Sequence, residues 1–86
     1  DKNPMAKGHT LVIPKKHFFT LIDLPAKLDA ELLGLVREIA GKKMAEGAEG
    51  FNILMRNGNS AGQEVPHAHI HIIPRKKGDD IRFLPV

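Results

Sequence analysis

The sequence contains no cysteine and no run of apolar residues long enough to span a membrane. The absence of cysteine excludes a disulfide framework and a zinc site built from thiolates. Acidic residues are slightly outnumbered, and the net charge of +3 is spread along the chain instead of forming one basic arm. We therefore expect neither nucleic acid nor a membrane as a partner.

The chain also lacks the series of charged, apolar and small residues that marks a secretory signal, and it begins with Asp1 instead of methionine. We expect a cytoplasmic protein whose N-terminus is processed or incomplete. The 86 residues suffice for one small domain. At this size folding buries only about 60 to 65 % of the unfolded surface, so a partner subunit would add needed stability.

Hydrophobic patterning predicts three strands and one long helix, an α+β architecture. Apolar runs predict strands over residues 9–13 and 51–55. Residues 18–24 form an apolar connector with room for one helical turn. Glycine and asparagine are concentrated in residues 57–62, which are typical of a loop between two arms of a hairpin.

A longer periodic segment predicts the helix. From Pro25 to Met44 apolar residues recur every three or four positions, with charged residues between them. Asp23 or Leu24 precedes this segment as a cap, and Gly47 follows it as a C-terminal stop.

Two features of this outline indicate a second subunit. Gly34 and Gly41 lie on one face of the predicted helix, where each costs about 1 kcal/mol relative to alanine, so close approach of another backbone would explain them. The strand over residues 51–55 is expected at an edge of the sheet, and three strands cover the helix poorly. We expect a homodimer whose sheet continues between the subunits.

Three histidines alternate with apolar residues near the C-terminus. His67, His69 and His71 are two positions apart, which predicts a strand over residues 65–73 that Pro74 stops. The imidazoles would line one face of this strand, and the apolar residues between them would face the core. Three neighbouring imidazoles are a poor structural choice because each must satisfy two nitrogens, so the segment indicates a functional site.

Metal binding is one interpretation of these histidines. At about 3.3 Å per residue, the Cα atoms of His67 and His71 lie about 13 Å apart, too far for both to bind one tetrahedral zinc ion from a straight strand. Two neighbouring histidines could share an ion if His9 or His17 supplied the third ligand.

Nucleophilic catalysis is the other interpretation. A neutral imidazole is a good nucleophile near neutral pH, and His69 stands between two further imidazoles that could orient a reacting phosphoryl group. The glycine loop, residues 57–63, precedes them and offers backbone N–H groups to an anion, and the amide of Gln63 could also donate.

The alternation of histidine with apolar residues over residues 67–73 is similar to the signature of the histidine triad nucleotide-binding proteins. Residues 61–65 and 73–75 resemble the flanks of this signature in bacterial and archaeal members. Residues 8–17 resemble the other signature stretch of the family. The resemblance covers essentially the whole chain, residues 1–86, as a single domain of this type.

This resemblance implies an antiparallel sheet with one long helix and an N-terminus that lacks the usual first strands. It also implies cleavage at the α-phosphate of adenosine conjugates, either phosphoramidates or dinucleoside polyphosphates, by a cytoplasmic homodimer. The substrate would be a purine nucleotide, and no metal or other cofactor would be needed.

The resemblance also assigns roles to individual residues. His69 matches the nucleophile, which forms a nucleotidyl-histidine that water then hydrolyses. His67 and His71 match the flanking members of the triad, and His9 matches a fourth histidine that packs beside it. Four further residues match nucleotide or phosphate contacts: Asp1, Gly62, Gln63 and Glu64.

Two residues depart from the family pattern. Arg56 stands where many members have asparagine, and Glu64 replaces a serine or threonine that donates to the leaving group in some branches. The function predicted is a nucleotide hydrolase or transferase. The alternatives are a metal-dependent hydrolase with two triad histidines as ligands and a nucleotide-binding module without turnover.

Overall fold

The computed structural model describes residues 8–81, in which three strands and one long helix alternate with short 3-10 turns. Asp1 and the apolar C-terminal residues lie outside the described part of the chain. The elements in chain order are β1 (Thr10–Val12), α1 (Asp29–Ala45), β2 (Gly50–Leu54) and β3 (Ile70–Arg75). The α+β prediction is confirmed, and one 3-10 turn, Leu21–Asp23, lies in the connector where a helical turn was expected.

The strands form one antiparallel sheet in the order β1-β3-β2. Ile72 is paired with Thr10 of β1 on one side and with Ile53 of β2 on the other. The predicted hairpin between β2 and β3 is therefore confirmed, and β3 is the central strand. Because β3 lies between β1 and β2, both neighbouring strands bury the residues around Ile72.

β3 begins and ends later than the sequence predicted. It starts at Ile70 because the preceding segment bonds elsewhere: the N–H of Ala68 donates to the carbonyl of Phe18 at 2.6 Å. It continues through Pro74 because the carbonyl of Arg75 accepts from the N–H of Glu49, just before β2, so Pro74 faces the other side, beyond the end of β1. The missing N–H of proline therefore removes no bond from the sheet.

The helix α1 packs one face against the sheet. Val36 and Ala40 of α1 form the buried core together with Val12 and Ile72 of the strands. The predicted C-terminal stop is confirmed, since Gly47 has a positive φ of 112° and its N–H donates to the carbonyl of Met44, near the last turn.

The predicted cap of the helix was wrong. A 3-10 turn, Ala26–Leu28, leads directly into α1, and Pro25 precedes that turn without a side-chain capping bond. Asp23 instead closes a capping box one turn earlier, where its carboxylate accepts from the backbone N–H of Thr20 at 2.9 Å. No helix within residues 8–81 is long and apolar enough to cross a membrane.

The surface formed by β2 and the outer side of α1 has no cover from residues 8–81. A Cβ atom built on Gly34 or Gly41 would meet no atom within 4 Å outside the helix's own backbone, so no other backbone among residues 8–81 approaches the two glycines. On the edge strand, Phe51 and Ile53 are only partly covered, being 43 % and 47 % exposed. This surface remains available for a second subunit.

Candidate functional site

Four histidines gather around the beginning of β3. His71 lies in the strand, opposite Leu11 of β1, and the short step from Leu11 back to His9 brings the two histidines together. The Nε2 atom of His9 and the Nδ1 atom of His71 are 2.8 Å apart, a hydrogen bond in which one nitrogen donates and the other accepts. Such a bond needs a single proton between the two rings.

Burial keeps this pair uncharged. His71 is only 8 % exposed. Burial, followed by the charges of His69, His9 and Arg56, lowers the pKa of His71 to about 4. Burial also lowers the pKa of His9. Both rings are therefore neutral at pH 7, which matches one shared N–H···N bond.

The orientation of His69 is determined by a backbone carbonyl. The Nδ1 atom of His69 lies 2.7 Å from the carbonyl oxygen of His67. Because a carbonyl oxygen only accepts, Nδ1 carries the proton and donates, which leaves Nε2 of the neutral ring with a lone pair. The ring of His69 also packs against that of His71, with 4.8 Å between centroids.

His67 is held by the segment that follows β1. Its Nε2 atom donates to the carbonyl of Pro14 at 3.2 Å. The exposed ring of His17 packs edge-on against His67, with 4.7 Å between centroids and 83° between the planes. From the sequence, His17 was considered only as a third metal ligand, not as a packing partner of His67. Its position shortly after β1 was the signal that could have indicated this contact.

Hydrogen bonds of the buried Gln63 side chain hold the glycine loop against the connector. Gln63 is 4 % exposed, and its Oε1 atom accepts from the N–H of Gly58 at 2.6 Å. Its Nε2 atom donates to the carbonyls of Phe19 at 2.6 Å and Val65 at 3.1 Å. Both amide hydrogens are thus used inside the protein. The expectation that this amide donates to a bound anion is replaced by a role in positioning the loop.

The remaining predicted contacts are at the rim of the site or outside the described residues. Gly62 has a positive φ of 93° and ends the short turn of the glycine loop. Glu64 is exposed beside it, and Asp1 lies outside the described residues. The structure thus brings His9 together with His67, His69 and His71, and places the glycine loop next to them. The carbonyls that hold the site could not be recognised from the sequence, because a backbone carbonyl is present at every residue.

We expect His71 to protonate only when the pH falls to about 4. Because this pKa lies below the ordinary value of 6.5, the unfolded chain binds more protons than the folded chain between those two values. The free energy of unfolding should therefore rise with pH across this window. The stability that neutral His71 contributes should be lost as the pH falls through it. The chemical shift of the His71 Cε1 proton, followed by NMR, gives the midpoint directly.

The matched control for this prediction is His71→Asn, which removes the titrating group. Its free energy of unfolding should vary less between pH 4 and pH 6.5 than that of the wild type. A midpoint near 6.5 for His71 would contradict the buried, neutral pair.

Comparison with known proteins agrees with this geometry. The HIT domain family matches residues 1–78 of the chain. The chain belongs to the histidine triad (HIT) family. A crystal structure of a zinc-bound HIT family protein from Mycobacterium smegmatis has a TM-score of 0.85 and 40 % identity, covering 96 % of this chain and 61 % of that one. The HIT fold expected from the sequence is confirmed.

Two relatives with named activities are also similar to this HIT chain. An adenylylsulfatase of Arabidopsis thaliana is 45 % identical over 80 residues, covering 92 % of this chain and 41 % of the plant protein. An adenosine 5'-monophosphoramidase of Schizosaccharomyces pombe is 43 % identical over 75 residues, covering 87 % of this chain and 54 % of the yeast protein. The chain spans about half the length of these relatives.

The zinc of the mycobacterial structure raises the question of a metal site in this HIT chain. Within residues 8–81, no group of three histidine, cysteine, aspartate or glutamate side chains is placed to hold a metal ion. The facing nitrogens of His9 and His71 are bonded to each other. The described side chains therefore do not fit a zinc site.

Proposed function

We propose that this HIT protein cleaves adenosine nucleotide conjugates at the α-phosphate, through a nucleotidyl intermediate on His69. The observation that carries the proposal is the bond from His69 Nδ1 to the carbonyl of His67, which leaves Nε2 with a lone pair. The named activities of the plant and yeast relatives, on an adenylyl sulfate and an adenosine phosphoramidate, support the same class of substrate.

The reaction has two displacements. The lone pair of His69 Nε2 attacks the α-phosphorus, a nitrogen–phosphorus bond forms, and the bond to the leaving group breaks with its electron pair on the departing atom. A departing amine takes up a proton, whereas a departing phosphate leaves as an anion. Water then attacks the same phosphorus, the electron pair returns to Nε2, and the proton lost by water passes to solvent. AMP is released and His69 is regenerated.

The other residues of the site hold this geometry. The neutral pair of His9 and His71 packs against the ring of His69 and limits its rotation. His67 provides the carbonyl that sets the tautomer of His69. The glycine loop uses the N–H groups of Gly58, Gly62 and Gln63 to hold its own turns. We propose that this rigid loop positions Gly62 and Glu64 beside the bound phosphate, and that Asp1 contacts the ribose.

Release of AMP from defined substrates tests the function. We expect the protein to release AMP from adenosine 5'-phosphoramidate or from diadenosine tetraphosphate, and to keep this activity after exhaustive chelation. Loss of activity on chelation, restored by zinc or manganese, would establish the metal-dependent alternative instead. Tight binding of AMP without turnover of either conjugate would establish a binding module.

We also propose that the working unit is a homodimer joined through β2 and α1. Phe51 and Ile53 lie on an edge strand, and pairing of two β2 strands across a two-fold axis would cover both side chains. Gly34 and Gly41 on the adjacent helix would let the second subunit approach closely.

Gly34→Leu should convert the dimer to a monomer. Within the subunit a Cβ atom at this position meets no atom within 4 Å outside the helix's own backbone. Replacing a helical glycine also adds about 0.5 to 1 kcal/mol of stability. A fall in the molar mass of the particle in solution therefore reports on the interface alone. Light scattering over a wide concentration range measures the mass. Gly34→Ala is the control and should remain dimeric. A wild type that stays monomeric at tens of micromolar would disprove the dimer.

A further inference from the structure

Arg56 follows β2 and extends across the glycine loop. A Cβ atom built on Gly62 would lie 2.9 Å from Cδ and 3.2 Å from Nε of Arg56, so the arginine side chain lies against the backbone of Gly62. Such a distance is too short for any residue with a Cβ atom. Gly62 therefore does two things at once: it adopts a positive φ of 93° and leaves space for the arginine.

The charge of Arg56 is close to the triad and is not neutralised. Its positive charge is one of the causes that lower the pKa of His71. Within residues 8–81 the guanidinium makes no hydrogen bond and no ion pair with another residue. Arg75 shows the contrast, because its guanidinium bonds to the carboxylate of Asp79 at 2.9 Å. The guanidinium of Arg56, which lies against Gly62, thus keeps its donors unused within residues 8–81.

The hydrogen-bonded pair of His9 and His71 does not supply such a charge. His9 and His71 share one proton and are neutral at pH 7, because burial lowers both pKa values. Arg56 therefore provides a permanent positive charge at the glycine loop, against Gly62, that is felt at His71. An anion is the ligand class that such a group binds.

The two candidate leaving groups need different help. An amine must gain a proton as the phosphorus–nitrogen bond breaks, and a guanidinium is too weak an acid to provide it. A phosphate leaves as an anion, and a neighbouring guanidinium stabilises its growing negative charge without any proton transfer.

We infer that Arg56 is a specificity-determining residue that binds an anionic leaving group, so that this site favours adenylate joined to phosphate over adenylate joined to an amine. The inference rests on the proposed function and adds to it the chemical class of the leaving group. In the displacement on the α-phosphorus, the phosphorus–oxygen bond breaks and the electron pair stays on the oxygen that Arg56 contacts.

Arg56→Asn tests this assignment, with kcat/KM measured for diadenosine tetraphosphate and for adenosine 5'-phosphoramidate. We expect kcat/KM for the tetraphosphate to fall about 10- to 100-fold, because a charge-assisted contact is lost, and kcat/KM for the phosphoramidate to change less than about threefold. Arg56→Lys keeps the charge but lacks the forked donors of a guanidinium. Its kcat/KM for the tetraphosphate should lie between those of the wild type and Arg56→Asn. Lys77→Asn, which removes an equal charge at the far end of β3, should leave both values unchanged.

Equal losses on both substrates would overturn the assignment and place Arg56 on the α-phosphate that the substrates share. Unchanged kinetics on both would also overturn it and leave Arg56 as a packing residue for Gly62. A wild type that cleaves neither conjugate would instead defeat the proposed function. The failure of the inference and the failure of the function are thus separate results.

Discussion

His69→Ala should reduce kcat by at least about 10³-fold while AMP still binds with a Kd within about tenfold of the wild type. The reason is that the variant loses the nitrogen that forms the bond to phosphorus but keeps the glycine loop and the neighbouring His67 and His71. Mass spectrometry of the intact wild-type protein, quenched at alkaline pH during turnover, should show the mass of one adenylyl group on His69. The variant should show none.

His69→Asn is the useful companion variant. Its amide can still donate to the carbonyl of His67, so it preserves the local bond but provides no nucleophile. We expect it to be as inactive as the alanine variant. Turnover near the wild-type rate in either variant, with no adduct on the wild type, would disprove the covalent intermediate.

Gln63→Ala should lower the free energy of unfolding by about 2 to 4 kcal/mol. The side chain is buried, and its removal takes away the partner of the Gly58 N–H and the donor to the Phe19 carbonyl, whereas the Val65 carbonyl still accepts from the N–H of His67. Since a domain of this size has only about 5 to 15 kcal/mol of stability, the loss is large. Urea denaturation followed by circular dichroism measures it.

Two further substitutions show whether the bonds themselves are responsible. Gln63→Glu keeps the size of the side chain and the acceptor for Gly58, but at pH 7 it points a negative oxygen at two carbonyls. It should be at least as destabilising as alanine and should recover as the pH falls, when the protonated carboxyl can donate again. Glu64→Ala is exposed and should change stability by less than about 0.5 kcal/mol. Similar values for Gln63→Ala and Glu64→Ala would contradict this role.

The fold was predictable from the sequence where a single segment carried its own periodicity. The apolar spacing before Met44 identified α1, and Gly47 was recognised as its end because left-handed backbone favours glycine. Alternation in residues 67–73 placed His67, His69 and His71 near one another. The resemblance to the HIT family added His9, and the bond between His9 and His71 confirms its position.

The parts that could not be predicted depend on bonds between distant backbone groups. The start of β3 is decided by the carbonyl of Phe18, fifty residues before Ala68, and a carbonyl leaves no trace in the sequence. The amide of Gln63 was expected to face an anion because its chemistry allows that role equally well. Its burial against Phe19 became visible only with the fold.

The connector, residues 18–24, makes three hydrogen bonds to the candidate site, and Pro14, just before it, makes a fourth. Leu21 donates its N–H to the side chain of Asn57, and the carbonyls of Phe19, Phe18 and Pro14 accept from Gln63, Ala68 and His67. The connector side of these bonds is backbone throughout, so connector side chains outside the capping box of Thr20 and Asp23 are free to vary, as the 91 % exposure of Ile22 illustrates. The length of the connector is not free to vary, because one residue inserted or deleted would shift all of these bonds at once. Exposed residues of this segment can thus be substituted without disturbing the bonds that hold the triad and the glycine loop, provided that the number of residues is kept.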